Sequence, residues 1–258
     1  MLAWKRAARI GERRRGSVNF RAWWPSRRKA VTEQPLPIAE ADKPAIGLIG
    51  GTGALGSGLA RRWASAGYRV VIGSREAAKA QALAATFGVP PGASSPTGAG
   101  NFEAAAMADI VVLTVPFESQ QAILESIRPN LRGKLVLSSA VPLSPDAADR
   151  VPSQGGLCAA LESQRALGTD ARVVSAFHNV PARRLGGDGR IDCDVLVFGD
   201  DKGDRETVIG LVEAAGMRGI HGGPLVNSAA AEALTPVLIG IGRHYKIDGP
   251  SIRITGID

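Results

Sequence analysis

The sequence predicts an α/β protein: a Rossmann-type doubly wound parallel sheet with a small C-terminal α/β domain. Short runs that are apolar at nearly every position alternate with helix-length segments. The first of these runs leads into a glycine-rich turn that opens a helix. A hydrophobic content of 45% with 32 glycines suits such a fold. Parallel strands are covered by helices on both faces, so they read as continuous apolar runs instead of alternating ones.

The elements follow in order. Residues 46–50 (IGLIG) read as a buried strand. Residues 55–66 read as a helix, with Leu55, Leu59 and Trp63 on one face and Gly67 as its stop. Residues 69–73 (RVVIG) form a second strand and 76–87 a second helix. The Gly/Ser/Pro-rich stretch 90–100 reads as a surface loop with room for a short strand. Further strands are expected at 109–115, 134–138, 171–176 and 194–199, and helices at 119–127, 206–215 and 228–241. Right-handed crossovers between such strands wind the sheet twice, and ligands then sit outside the strands' carboxyl ends.

Charge divides the chain. Its net charge is +7, from 31 basic and 24 acidic side chains. Residues 1–45 hold 11 Lys/Arg and four Asp/Glu, which accounts for the whole excess, and residues 46–258 are balanced at 20 of each. Residues 1–44 therefore read as a basic arm and a Pro-containing linker, disordered by composition. A balanced body argues against a nucleic-acid-binding face. Two cysteines, Cys158 and Cys193, cannot build a disulfide framework, which points to a reducing, cytoplasmic setting. No stretch of 18 uncharged apolar residues is evident, so no membrane span is expected. Residues 45–170 are expected to form the dinucleotide-binding domain and 171–258 a smaller one closing a cleft.

Gly51-Thr52-Gly53-Ala54-Leu55-Gly56 is a G-x-G-x-x-G segment placed after a strand and at the start of a helix. Gly51 permits the tight turn, Gly53 lets backbone approach a pyrophosphate, and Gly56 lets helix and strand pack closely. The helix N-terminus adds free N–H groups and partial positive charge. A tight turn without ligand is the plain alternative. At the end of the second strand, NAD-binding folds carry Asp or Glu for the ribose 2′-hydroxyl. Here stand Gly73, Ser74 and Arg75, with Lys79 four residues on. A hydroxyl and a guanidinium suit a 2′-phosphate, hence NADP(H), against the plain reading of a solvated basic pair.

Elsewhere no H-E-x-x-H, C-x-x-C, G-x-S-x-G or Tyr-x-x-x-Lys pattern occurs. With no acid/base pair for a carbonyl substrate, the residues favour hydride transfer between two cofactors, which needs positioning more than proton transfer.

The segments IGLIGGTGALGSGLA, GSREAAK, DIVVLTVPF, KLVLSSAVPL, VVSAFHNVPARRL and GGPLVNSAAAEALTP…RHYK…IRIT together resemble the NADPH-dependent coenzyme F420 reductases (F420:NADP oxidoreductases), with a bacterial-type ending. The resemblance runs from about residue 45 to the C-terminus. It implies direct transfer of a hydride between NADP(H) and the deazaflavin coenzyme F420, usually in a homodimer. By position it implies Thr52, Gly53, Ala54 and Leu55 at the pyrophosphate, and Ser74, Arg75 and Lys79 at the 2′-phosphate. Pro116, Phe117, Val141 and Leu143 would line the nicotinamide. His178, Asn179, Val180, Pro181 and Ala182 would form the loop meeting both rings, with His178 a ring-positioning donor and Val180 beside it as the catalytic pair. Pro250 and Ser251 would touch the deazaflavin. Arg183 and Arg184 either neutralise its anionic tail or stand as a solvated basic pair. Asn179 and Ala229 depart from the family's residues at the deazaflavin side, which leaves room for another flavin- or pterin-like ring. The absent acid/base pair also leaves room for an NADP-binding sensor without chemistry.

Overall fold

The computed structural model describes residues 43–88, 95–144, 146–152, 158–187 and 189–257. The basic arm lies outside the described residues apart from Lys43 and Pro44. The described residues belong to one compact unit, residues 37–258.

Among the described residues eight strands form one sheet: β1 (Ile46–Ile49), β2 (Val70–Ser74), β3 (Thr97–Gly100), β4 (Ile110–Leu113), β5 (Leu135–Ser138), β6 (Arg172–Ser175), β7 (Asp194–Gly199) and β8 (Arg218–Gly223). The spatial order is β3-β2-β1-β4-β5-β6-β7-β8. β1 through β6 are all parallel, and only the β6–β7 pair is antiparallel. The order reverses beside β1, which pairs with β2 on one side and β4 on the other, Ile46 facing both Val70 and Ile110. This is the switch point at which doubly wound sheets bind ligands. Every residue of β1, β2, β4 and β5 is buried, as unbroken apolar runs require. The expected division at residues 170 and 171 falls just before β6, inside this continuous sheet.

Among the described residues seven α-helices cover the sheet: α1 (Ala54–Ser65), α2 (Ala77–Ala84), α3 (Asn101–Met107), α4 (Phe117–Ile127), α5 (Ala159–Leu167), α6 (Lys202–Ala214) and α7 (Ser228–Tyr245). One core layer holds Leu59 and Trp63 of α1 with the strands and α6; the other holds α3, α4 and α5 against the opposite face. Trp63 is fully buried, donates Nε1–H to the Leu211 carbonyl at 2.8 Å, and meets the Phe177 ring edge-on at 6.0 Å. Gly67 ends α1 at φ +82°, as expected of a left-handed stop.

Three elements have no counterpart in the sequence reading. α3 is a seven-residue, alanine-rich helix whose periodicity is too short to detect. α5 buries only Ala159, Ala160, Ser163 and Leu167, mostly small residues that leave a weak periodic signal. β8 reads RGIHGG, with no apolar run, because it is an edge strand that is half-buried or exposed throughout. α7 continues through Pro236 to Tyr245, four residues beyond the expected end. The segment Leu225–Tyr245, α7 with the short turn before it, is long and apolar enough, by length and composition, to cross a membrane. That differs from the sequence expectation, which counted only unbroken apolar runs. Here Ser228, Ala231, Glu232, Pro236 and Leu238 of the same helix are buried against the fold.

Candidate functional site at the sheet's switch point

The turn after β1 is built by sterics. Gly50 takes φ +73°, so the left-handed residue of the turn is Gly50 and not Gly51. Gly51 is excluded from carrying a Cβ for another reason: the atom would lie 2.9 Å from Leu48 Cβ. At Gly56 a Cβ would lie 2.6 Å from Gly51 Cα and 2.8 Å from Thr114 Oγ1, the close helix–strand approach expected. Gly53 differs. A Cβ there would meet only the Gly50 carbonyl at 3.7 Å, so the protein itself leaves its outer side open. Thr52, Gly53 and Ala54 are exposed, and α1 starts at Gly53 with no side-chain cap and no acidic residue in its first turn. An uncapped N-terminus with an open glycine fits an anionic phosphate group.

At the end of β2, Ser74 is buried, and its Oγ accepts the Glu76 backbone N–H at 3.2 Å. Arg75 is exposed. Lys79, in the first turn of α2, pairs with Glu76 at 2.7 Å on the surface. Arg75 thus stands as the solvent-facing cation nearest the strand end, and Lys79 shares its charge with Glu76.

A cavity of about 340 Å³ opens beyond β4 and β5. Leu55, Pro116, Phe117, Val141 and Leu143 line it together, with Thr114, Glu118, Ser139 and Thr235 as its polar members. A second, larger cleft of about 540 Å³ lies beyond β6. His178, Asn179, Val180 and Pro181 form one wall, and α7 with the following turn forms the other, including Pro250. Ala182 and Ser251 are half-buried but outside this lining. Thr235 of α7 lines both cavities. It donates to the His178 carbonyl at 3.0 Å and accepts from Asn179 Nδ2 at 3.1 Å, while Asn179 also donates to the Ala231 carbonyl at 3.0 Å. Asn179 therefore anchors the loop to α7.

Phe177, just before His178, is buried with φ +67°, a strained conformation for a bulky residue. It turns the chain sharply out of β6 and brings His178 under the cleft. Burial pulls the His178 pKa down to about 4, so the imidazole is neutral. The loop beyond is clamped by Arg62 of α1. Its buried guanidinium donates to the carbonyls of Leu185, Ala215, Arg184, Gly187 and Gly189. Both cysteines are free and buried, and desolvation raises each thiol to about 11.

Comparison with known proteins decides the family. Residues 45–142 match the family described as "NADP oxidoreductase coenzyme F420-dependent". The F420-dependent NADP reductase of Methanothermobacter thermautotrophicus is 37% identical over 220 residues, covering 82% of this chain and 95% of the relative. The chain belongs to this family. The F420-dependent NADP reductase of Methanocaldococcus jannaschii is 34% identical over 83% of this chain and 99% of its own. A solved structure from Arthrobacter sp. FB24 superposes with a TM-score of 0.68 at 24% identity, over 82% of this chain and 99% of that one, and it shows the same fold.

Thr114, Ser139, Thr235 and Arg62 were missed by the sequence reading. Only Thr114 carries a sequence signal, since it stands at the end of β4 beside the switch point. Arg62 reads as an ordinary charge on an amphipathic helix, and Thr235 reaches the site only through the packing of α7.

Proposed function

We propose that the protein is an oxidoreductase that transfers a hydride directly between NADP(H) and coenzyme F420. The reading is carried by Ser74 and Arg75 at the end of β2, where an NAD-binding fold would place a carboxylate, in a chain whose relatives are F420-dependent NADP reductases. When bound, the two coenzymes supply the chemistry: a hydride passes between nicotinamide C4 and deazaflavin C5. This chain's residues bind, orient and exclude water. Gly51 to Gly56 would hold the pyrophosphate on the N-terminus of α1, and Ser74, Arg75 and Lys79 the 2′-phosphate. Pro116, Phe117, Val141 and Leu143 would set the nicotinamide in the smaller cavity. His178 to Ala182, with Pro250 and Ser251, would hold the deazaflavin in the larger one, Val180 supplying an apolar surface at the reacting faces. Arg183, with its side chain 85% exposed, would meet the anionic tail. In this reading residues 171–258 close the cleft over a domain formed by 45–170.

The enzyme is further proposed to work as a cytoplasmic homodimer. Two free cysteines suit a reducing compartment. Val237, Ile241 and Tyr245 are exposed at four-residue spacing on α7 and suit a second copy's matching face. Ile241→Glu should then yield monomers by light scattering.

The test of activity is direct. Mixing the protein with NADPH and oxidised F420 should bleach the visible absorbance of the deazaflavin. No bleaching with F420, together with turnover of a flavin or a pterin, would replace the proposed acceptor.

A further inference from the structure

Glu232 is 2% exposed on α7, and its carboxylate lies inside the protein. Oε2 accepts the Ala159 backbone N–H at 2.7 Å, and Oε1 accepts that of Ala160 at 3.3 Å, so it caps α5 from another element. Oε1 also accepts the Cys158 thiol at 3.2 Å and the Ser228 hydroxyl at 2.9 Å. Ser228 is fully buried and accepts the Ser175 hydroxyl at 2.7 Å. Its Oγ lies 3.4 Å from His178 Nε2.

Counting protons along this chain fixes the histidine. Ser228 has one proton, and it goes to the carboxylate, the nearer and stronger acceptor. One of its two lone pairs takes the Ser175 proton. The other faces His178 Nε2, so Nε2 must carry the hydrogen and Nδ1 the lone pair. Among the described residues no bond reaches Nδ1, and no buried polar side-chain atom lacks a partner. Nδ1 is therefore the nitrogen His178 presents to the larger cleft, which it lines.

We propose that Ser228 and Glu232 are positioning residues that lock His178 as the Nε2–H tautomer, so that the cleft offers its ring ligand a hydrogen-bond acceptor. This reverses the donor role expected of His178 from the sequence. It rests on the reading of the cleft as the site of a heteroaromatic ring, and adds that the ring edge facing His178 carries an N–H or O–H donor. A pyrimidinedione N–H, as in a deazaflavin, has that character; a ring edge offering only acceptors would be rejected. Glu232 acts through Ser228 and touches no ligand.

The test is nitrogen NMR of the full protein labelled with 15N-histidine at pH 7. His178 is assigned by the signal lost in His178→Gln, which separates it from His221 and His244. The expected spectrum of the free protein shows a protonated-type Nε2 and a pyridine-type Nδ1. Ser228→Ala, which keeps the Glu232 cap on α5, should turn His178 into a mixture of both tautomers. It should also raise KM for F420 about twofold, as the competent tautomer falls to about half of the population, with KM for NADPH unchanged. Cys158→Ala should leave the tautomer as in wild type. A wild-type His178 protonated at Nδ1, or a tautomer indifferent to Ser228→Ala, overturns the proposal. Because the spectra need no substrate, failure of F420 turnover would count against the function and leave the tautomer result standing.

Discussion

Arg62 offers the sharpest test of how the ring-binding loop is held. Its guanidinium is 8% exposed and serves five backbone carbonyls of two segments, 184–189 and Ala215. Two of the bonds, to Leu185 and Ala215, are buried; the other three are partly open to water. Replacing Arg62 by Met keeps the aliphatic stem and removes every donor. The three partly open carbonyls can turn to solvent. The two buried ones lose their donor, at about 1–3 kcal/mol each, so Arg62→Met should cost about 4 kcal/mol. That is a large share of the roughly 5–15 kcal/mol of a typical domain. Arg62→Lys supplies three donors from a point charge in place of a rigid fork and should cost about half as much. Urea denaturation measures both, provided the slope with denaturant is unchanged. The 182–189 segment follows directly on the His178–Pro181 wall, so the lysine variant should also show a raised KM for F420 and an unaltered KM for NADPH. A loss under about 1 kcal/mol for Arg62→Met, with both KM values intact, would refute the clamp.

Two glycines of the phosphate turn should separate folding from binding. Gly56→Ala should destabilise the protein by about 1–3 kcal/mol, because its Cβ meets backbone at 2.6 Å, whereas Gly53→Ala should keep its melting temperature and lose NADPH affinity by calorimetry, because only the ligand needs that space. Arg75→Asp should weaken NADPH by roughly 2–3 kcal/mol and leave NADH nearly unchanged; equal losses would show that Arg75 does not read the 2′-phosphate. The depressed pKa of His178 has a defined sign: the unfolded chain, at its ordinary 6.5, takes a proton that the native imidazole refuses until about 4. Stability should therefore fall as pH drops from about 6.5 towards 4, by roughly 3 kcal/mol, and His178→Gln should flatten that part of a pH series of urea titrations.

What could be seen in the sequence was whatever rests on local pattern. The strand–turn–helix of residues 46–65 was legible because burial on both faces and the glycine spacing are written in consecutive residues. The Ser74-Arg75 reading followed, since its place is fixed by the end of β2. The clamp by Arg62 spans more than 120 positions to the 184–189 segment, and no periodicity marks it. Nor does the sequence mark Phe177 as left-handed, because nothing in its side chain favours that conformation; in the fold its ring packs edge-on against Trp63. Nothing in the sequence around Glu232 marks it as an interior cap; the packing of α7 against α5 makes it one. β8 was invisible because an edge strand need not be apolar.

The placement of charge fits the proposed chemistry. A hydride carries its own electron pair, so no side chain at the reacting atoms has to take up or release a proton for the transfer itself. Oxidation of a dihydronicotinamide leaves a positive ring, and a cation about 4 Å away would oppose that by about 4 kcal/mol at an effective dielectric of 20. A protonated histidine in the wall of the cleft would be such a cation. Burial of His178, with a pKa near 4, removes it. The Ser228–Glu232 chain leaves the neutral ring a single tautomer, and the carboxylate behind it offsets positive charge. Positive charge stands instead at Arg75, on the phosphate end of the site, and at Arg183, on the rim. The +7 of the whole chain has no part in this, since it belongs to residues 1–45. A protein balanced at 20 basic and 20 acidic residues over 46–258 can hold an anionic dinucleotide because it places a few cations at the strand ends and keeps the buried histidine of its cleft wall uncharged.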